Sequence, residues 1–279
     1  MPKIIDVIPG LKPAKGDIGV EIEVEGSNLP PGTMTWRRER DASLRGEESG
    51  EYVLNRPVPY EELTEAFNEL KQSFVDSGAR VDKTYRAGTH VHVNVQQLSI
   101  IELFNFITIF LILEECIVDF CEESRRGNHF CMRAKDAGYL SAVLWRCVEG
   151  GNLKQMDDEN IRYSAMNLSS LFKYGSVEFR CLESTDDFSR IQTWCDIIYT
   201  LKESCKQFKD PIDVMSNVSM DGYEQFVSVV MKHNSKYIFN SADWKNKVKE
   251  GIRQAQDIAF SRIWGAVNLD IFDQNRKVF

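Results

Sequence analysis

Apolar and polar positions alternate with a period of two in three separate stretches of the chain. In residues 18–26, Val20, Ile22 and Val24 alternate with Glu21, Glu23 and Glu25. In 89–95, Val91, Val93 and Val95 alternate with His90, His92 and Asn94, and in 175–183, Val177 and Phe179 alternate with Ser176, Glu178 and Arg180. A period of two places successive side chains on opposite faces of a strand, so each stretch predicts a strand with one dry and one wet face. EYVLNRPV (51–58) and RYSAMNLSSL (162–171) predict two more strands and 80–86 suggests another, while GEESG (46–50) reads as a turn. Pro57 and Pro59 introduce a helix from about Tyr60 to Ser77, stopped by Gly78. The most apolar run, Ile100 to Phe120, lies in a predicted helix over about 98–124. Glu102, Asn105, Glu114 and Glu115 interrupt it, so it reads as a buried core helix rather than a membrane span. A helix over about 134–148 follows, and beyond Asp186 strong helices near 187–207 and 242–264 are joined by irregular sequence. Strands before residue 183 and helices after it predict an α+β layout in one domain, 1–279, with core motifs in 18–186 and a helical portion over 187–279.

The net charge of −8 argues against a broad affinity for nucleic acid or anionic membrane. Seven cysteines, without a Cys-x-x-Cys pair, fit reduced thiols better than a disulfide framework or structural zinc site. With no signal-like apolar N-terminus, the expectation is a soluble, cytoplasmic protein.

The wet faces of the three strands change the picture. Glu21, Glu23 and Glu25 share one face, His90, His92 and Asn94 a second, and Ser176, Glu178 and Arg180 a third. Any one of these alone reads as the polar side of a half-exposed antiparallel sheet. Three carboxylates in a row repel one another unless cations lie between them, and carboxylates with imidazole are the ligands of magnesium or manganese. Taken together, the three faces favour a metal site.

GVEIEVEG, THVHVNV and VEFR, in that order, resemble the strand motifs of the glutamine synthetase and glutamate–cysteine ligase superfamily, and within it those of the amidoligase family of bacteria and phages. Asp41-Ala-Ser43-Leu44 with Gly50-Glu51-Tyr52-Val53, and Arg162-Tyr163 with Asn167, resemble further blocks of that family. The resemblance covers roughly residues 18–186. It implies a glutamine synthetase-like catalytic domain, with a curved antiparallel sheet bearing the metal and ATP site and helices flanking it. It also implies an ATP-dependent ligase that joins a carboxylate to an amine. By the same resemblance Glu21, Glu23, Glu51, His90 and Glu178 hold metal, and His92 and Asn94 face the nucleotide. Arg180 stabilises the transferring phosphoryl group, and Arg162 is a second phosphate or substrate arginine. Ala42 stands where the family has glycine, and Glu25 is an extra acid without an assigned role.

The chemistry suits these residue types. A carboxylate does not condense with an amine at neutral pH until ATP converts it to an acyl phosphate, and that transfer is stabilised by divalent ions and arginines. The acyl phosphate hydrolyses readily, so a water-excluding lid is expected, with the loops at 26–50 and 150–160 as candidates. Asp41 is a candidate to deprotonate or orient the amine, the alternative being a turn aspartate. Arg37, Arg38 and Arg40 read equally as phosphate ligands or as a solvated loop. His129 and His233 read as surface residues, and Cys181 as a buried thiol. No Walker loop or dinucleotide fingerprint is present. A metal-dependent phosphoryl hydrolase and a non-catalytic binding protein of the same fold remain alternatives. Small-molecule, peptide and modified-base substrates all stay open, as does a homo-oligomer.

Overall fold

The computed structural model describes residues 2–220, 222–261 and 264. The chain folds into a seven-stranded antiparallel sheet backed by helices. The strands are β1 Ile18–Ser27, β2 Trp36–Glu39, β3 Glu48–Leu54, β4 Arg80–Val81, β5 Gly88–Asn94, β6 Met166–Asn167 and β7 Ser176–Glu183. Across the sheet they run β2-β3-β1-β5-β7-β6, and β4 pairs with the far end of β1. The helices are α1 Ile4–Val7, α2 Leu63–Ser77, α3 Ile100–Ile117, α4 Gly138–Gly150, α5 Ser170–Tyr174, α6 Phe188–Ser204, α7 Pro211–Met220, α8 Tyr223–Met231, α9 Ser235–Phe239 and α10 Trp244–Ala259.

The dry faces of the alternating strands make the core. Val20, Ile22, Val24, Val91, Val93, Val177 and Phe179 are each at most 1% exposed. Helix α3 lies beneath them, with Phe106 and Phe110 against the ring of Phe179. A helix apolar on all sides has no wet face to offer and is buried all round. Ser99 and Glu102 start it as a reciprocal capping box, and Asn105 donates to the carbonyls of Cys205 and Phe208. Helix α10 crosses α3 closely, because Gly251 carries no side chain to hold the two backbones apart. Trp194, Trp244 and Trp264 are buried in this interior.

Several local expectations are corrected. Glu48, Ser49 and Gly50 belong to β3 rather than to a turn, because they pair with Gly26, Glu25 and Val24 of β1. Partner strands, not local apolar alternation, set that boundary. The strand expected over 162–171 shrinks to Met166–Asn167 and gives way to α5, and that expected over 80–86 shrinks to Arg80–Val81. The sequence read as irregular between α6 and α10 holds α7, α8 and α9. Residues 262 and 263, at the end of the helix expected over 242–264, lie outside the described residues. Among the described residues no helix is long and apolar enough to cross a membrane.

Glu114 sits inside α3, buried, with one oxygen accepting the Ala134 N–H at 2.9 Å and the other unpartnered. Burial drives its pKa up to about 8, with the Ala134 hydrogen bond opposing the rise. Between pH 4.5 and 8 the folded chain therefore keeps a proton that the unfolded chain releases, and this residue's contribution to stability falls as pH rises through that window. Glu114→Gln is expected to stabilise the protein at pH 7 by about 3 kcal/mol, with the gain vanishing below about pH 4.5. Calorimetric melting of both forms from pH 4 to 8 checks this; parallel curves overturn it.

Candidate active site

Strand register assembles the wet face. Glu21 stands opposite His90, Glu23 opposite Glu51, and His92 opposite Glu178. Between Phe179 and Leu182, β7 places two residues, Arg180 and Cys181, against the single His90 of β5. This bulge leaves Arg180 on the wet face beside Glu178 while Cys181 is buried. The result is a floor of carboxylate, imidazole and guanidinium in a cleft of about 730 Å³, walled by Asp41 on one side and by Asp157, Glu159 and Arg162 on another.

Distances within the floor are short. His90 Nδ1 lies 3.6 Å from Glu21 and 3.5 Å from Glu178, and its Nε2 lies 3.8 Å from Glu23. Two groups of three have donor atoms within 4.8 Å of one another: Glu21, His90 and Glu178, and Glu23, Glu51 and His90. The second oxygens are fixed. Glu23 accepts the Gly88 N–H at 2.8 Å, Glu178 accepts the Asn167 amide at 2.6 Å, and Glu21 lies 3.4 Å from His92 Nε2, while the Arg180 guanidinium donates to the Glu178 oxygen that faces His90. His92 Nδ1 is 3.1 Å from the Ser176 hydroxyl.

The electrostatics follow from crowding like charges in a partly dry place. Burial works to raise Glu21, yet His90 and His92 outweigh it and hold its carboxyl well below the ordinary range. Burial likewise opposes Glu178, while His92, Arg180 and His90 hold it below its usual value. Burial works to depress His92, but Glu21 and Glu178 raise it above the ordinary imidazole value. Glu51 has no such partner, so burial and then the charges of Glu21 and Glu23 lift it to about 8. Both shifts run toward holding protons, on Glu51 and on His92, where like charges crowd.

The donor set fits a hard divalent cation. Four carboxylates and one imidazole are the ligands of Mg²⁺ or Mn²⁺, and soft thiolates, which would indicate another metal, are absent from both groups. A neutral imidazole has one lone pair, so His90 can serve one ion at a time.

Of the residues expected from sequence, Glu21, Glu23, Glu51, His90, His92, Glu178, Arg180, Arg162 and Asp41 all border this cleft. Arg162 is at the exposed rim, its guanidinium 5.9 Å from the Tyr163 ring. Asp41 has one oxygen in a turn with the Ser43 N–H at 2.7 Å, so the turn reading describes that oxygen while the side chain also borders the cleft. That turn requires no left-handed residue, which explains how Ala42 fits. Asn94 stands apart from the cluster. Its amide donates to Gly16 at 2.7 Å and its carbonyl oxygen accepts the Gln96 N–H, and it borders an adjoining cavity of about 190 Å³ with walls from Val53, Leu54 and Pro57.

Sequence reasoning missed other roles. Glu25 is buried and accepts the Arg45 N–H at 2.5 Å, so the third acid anchors the 41–47 loop instead of joining the cluster. Arg38 donates to the carbonyls of Leu29, Pro30 and Ser49 and is a structural residue, whereas Arg37 borders the cleft. The roles of Asn167 as the partner of Glu178 and of Ser176 as the partner of His92 depend on pairing across β5, β6 and β7, which no local pattern reveals. His129 is exposed, and His233, 66% exposed, pairs with Asp196.

No curated protein in the comparison matches the chain. A family model described as "Putative amidoligase enzyme" matches residues 34–201, more than half of the chain. The matched span runs from the residues before β2 into α6 and contains Asp41, Glu51, His90, His92, Arg162, Glu178 and Arg180, while β1 precedes it. The chain belongs to this amidoligase family.

Proposed function

We propose that the protein is an ATP-dependent carboxylate–amine ligase that forms an amide bond through an acyl phosphate, on an antiparallel sheet organised as in the glutamine synthetase-like superfamily. The observation that carries this reading is the pair of three-ligand groups sharing His90, set in a cleft that arginines border. Bound Mg²⁺ or Mn²⁺ would supply charge neutralisation for the phosphate oxygens, with Glu21, Glu23, Glu51, His90 and Glu178 as its holders. Arg180, fixed by Glu178 and by the Phe130 carbonyl at 3.3 Å, keeps Nη2 to offer the transferring phosphoryl group. His92 orients Glu21 from the side, and Asn94 holds the Gly16 segment that walls the adjoining cavity. That cavity, with its apolar walls beside Glu21 and His92, suits the nucleotide base. Arg162 at the rim reaches phosphate or acid, and the free oxygen of Asp41 is positioned to take a proton from the amine. The loops 40–47 and 150–160 serve as lids against water, the rest of the 26–50 segment being partly taken up by β1, β2 and β3. Seven free, buried thiols support a reducing, cytoplasmic setting.

Hydroxylamine provides the test, because it captures an acyl phosphate as a hydroxamate that ferric ion colours. Incubation with ATP, Mn²⁺ or Mg²⁺, a panel of acids and hydroxylamine is expected to give hydroxamate and ADP in equal amounts. ATP turnover at the same rate without acid or amine would instead identify a phosphoryl hydrolase.

A further inference from the structure

All seven cysteines are free and buried, and burial pushes five of them, Cys116, Cys121, Cys147, Cys195 and Cys205, above the ordinary thiol value. Cys131 and Cys181 differ because they meet. Cys181 follows Arg180 in the β7 bulge, and Cys131 follows Phe130, whose carbonyl accepts the Arg180 Nε–H at 3.3 Å. Three segments lie side by side here. The Met132 N–H reaches the Tyr163 carbonyl at 2.7 Å, the Ala165 N–H the Met132 carbonyl at 2.7 Å, and the Arg180 N–H the Ala165 carbonyl at 3.0 Å. Beneath them the Cys181 thiol donates to the Cys131 sulfur, and the Cys131 thiol donates to the Arg125 carbonyl at 3.3 Å. Arg125, buried and without a hydrogen-bond partner on Nε, donates in turn to the Arg180 carbonyl at 2.8 Å. The Cys181 hydrogen bond, with Arg125 and Arg180 nearby, holds the Cys131 thiol below its ordinary value although burial opposes this. The same hydrogen bond, reinforced by burial, pushes Cys181 well above its own. A readily ionised thiol beside a protonated one is the arrangement of an attacking and a resolving cysteine.

We propose that peroxide joins Cys131 and Cys181 in a reversible disulfide, and that this bond, on the ligase reading, switches the site off by drawing the Phe130 carbonyl away from Arg180. The Cys131 thiolate attacks one peroxide oxygen and breaks the O–O bond. The departing oxygen takes up a proton as water, and Cys131 becomes a sulfenic acid. The Cys181 sulfur then displaces the hydroxyl from that sulfenic acid, forming the S–S bond, and its proton leaves with the hydroxyl as a second water. Two thiols are thereby oxidised by two electrons, and one peroxide is reduced to two waters. A small, uncharged oxidant suits two buried sulfurs. A covalent bond holds the sulfurs closer than a hydrogen bond does, so the 130–132 segment shifts against β7 and Arg180 loses the carbonyl that fixes its Nε. A dithiol reductant reverses the bond by exchange.

Peptide mapping by mass spectrometry, after hydrogen peroxide treatment and alkylation of the unfolded protein, tests the bond without requiring turnover. One linked pair, Cys131 with Cys181, and five alkylated thiols are expected, and dithiothreitol should return all seven. In the hydroxamate assay the oxidised protein should lose at least about tenfold in rate and recover it with dithiothreitol. Cys131→Ser and Cys181→Ala should match reduced wild type and keep that rate through the same peroxide treatment. Absence of the Cys131–Cys181 peptide, or linkage of a different pair, overturns the inference. So does a linked protein that keeps its full rate, or a Cys131→Ser protein that loses activity to peroxide as wild type does. Hydroxamate absent even from reduced wild type overturns the ligase reading, while the peptide map still decides the disulfide.

Discussion

Glu23→Ala combined with Glu178→Gln is expected to remove metal-dependent ATP binding and to lower amide formation at least about 1,000-fold, while leaving the protein folded. The two substitutions take one carboxylate from each three-ligand group, so neither metal position keeps its full set. In the wild type, Mn²⁺-ATP at a hundred times its dissociation constant should stabilise the fold by about 2.7 kcal/mol, which raises the melting temperature of a chain this size by roughly 5–10 °C. In the double variant that shift should vanish. Its melting temperature without metal should fall modestly, because Glu178 is held charged by His92, Arg180 and His90 and Glu23 accepts the buried Gly88 N–H. Thermal denaturation of both proteins with and without Mn²⁺-ATP decides it. A wild type that shows no metal-dependent shift, or a double variant that keeps one, removes the metal cluster from the mechanism.

Gly251→Ala is expected to destabilise the protein by about 3 kcal/mol or more, although alanine is intrinsically the better helix former by about 1 kcal/mol. A Cβ at this position would lie 2.1 Å from the Ile112 carbonyl oxygen and 2.7 Å from that of Leu111. Both atoms belong to the backbone of α3, so no rotamer change relieves the overlap and α10 must move outward. Gly138→Ala, at the start of α4, where an added Cβ meets nothing within 4 Å, is the matched control and should be neutral or slightly stabilising. Equilibrium urea unfolding of both variants measures the difference. A Gly251→Ala protein as stable as the control would mean that α3 and α10 pack more loosely than described.

Much of this arrangement was legible because strands with one dry and one wet face advertise themselves. The alternations around Ile22, Val91 and Val177 located β1, β5 and β7, and with them most of the cluster. What stayed hidden depends on partners distant in sequence. The first half of β3 is glutamate, serine and glycine, and only β1 makes it a strand. The bulge at Arg180 and Cys181 has no local signature, although the alternation alone already sets Arg180 on the wet face. Glu25 sits in register with Glu21 and Glu23, and its diversion to Arg45 follows from the path of a loop twenty residues later. Arg86 lies in a segment with no period at all, and only the fold brings Phe130 and Arg162 near it.

The alternation in β1 also bears on how the chain avoids mispairing while it folds. A shift of one residue against β3 or β5 would turn Glu21, Glu23 and Glu25 into the hydrocarbon interior and expose Val20, Ile22 and Val24. Burying an unpaired carboxylate costs several kcal/mol even after relaxation, so three at once exceed the whole stability of an ordinary domain. The same acids that crowd the native floor therefore act as a proofreading key, making the nearest wrong pairing unable to persist. Neutralising them one by one should erode that protection along with the chemistry.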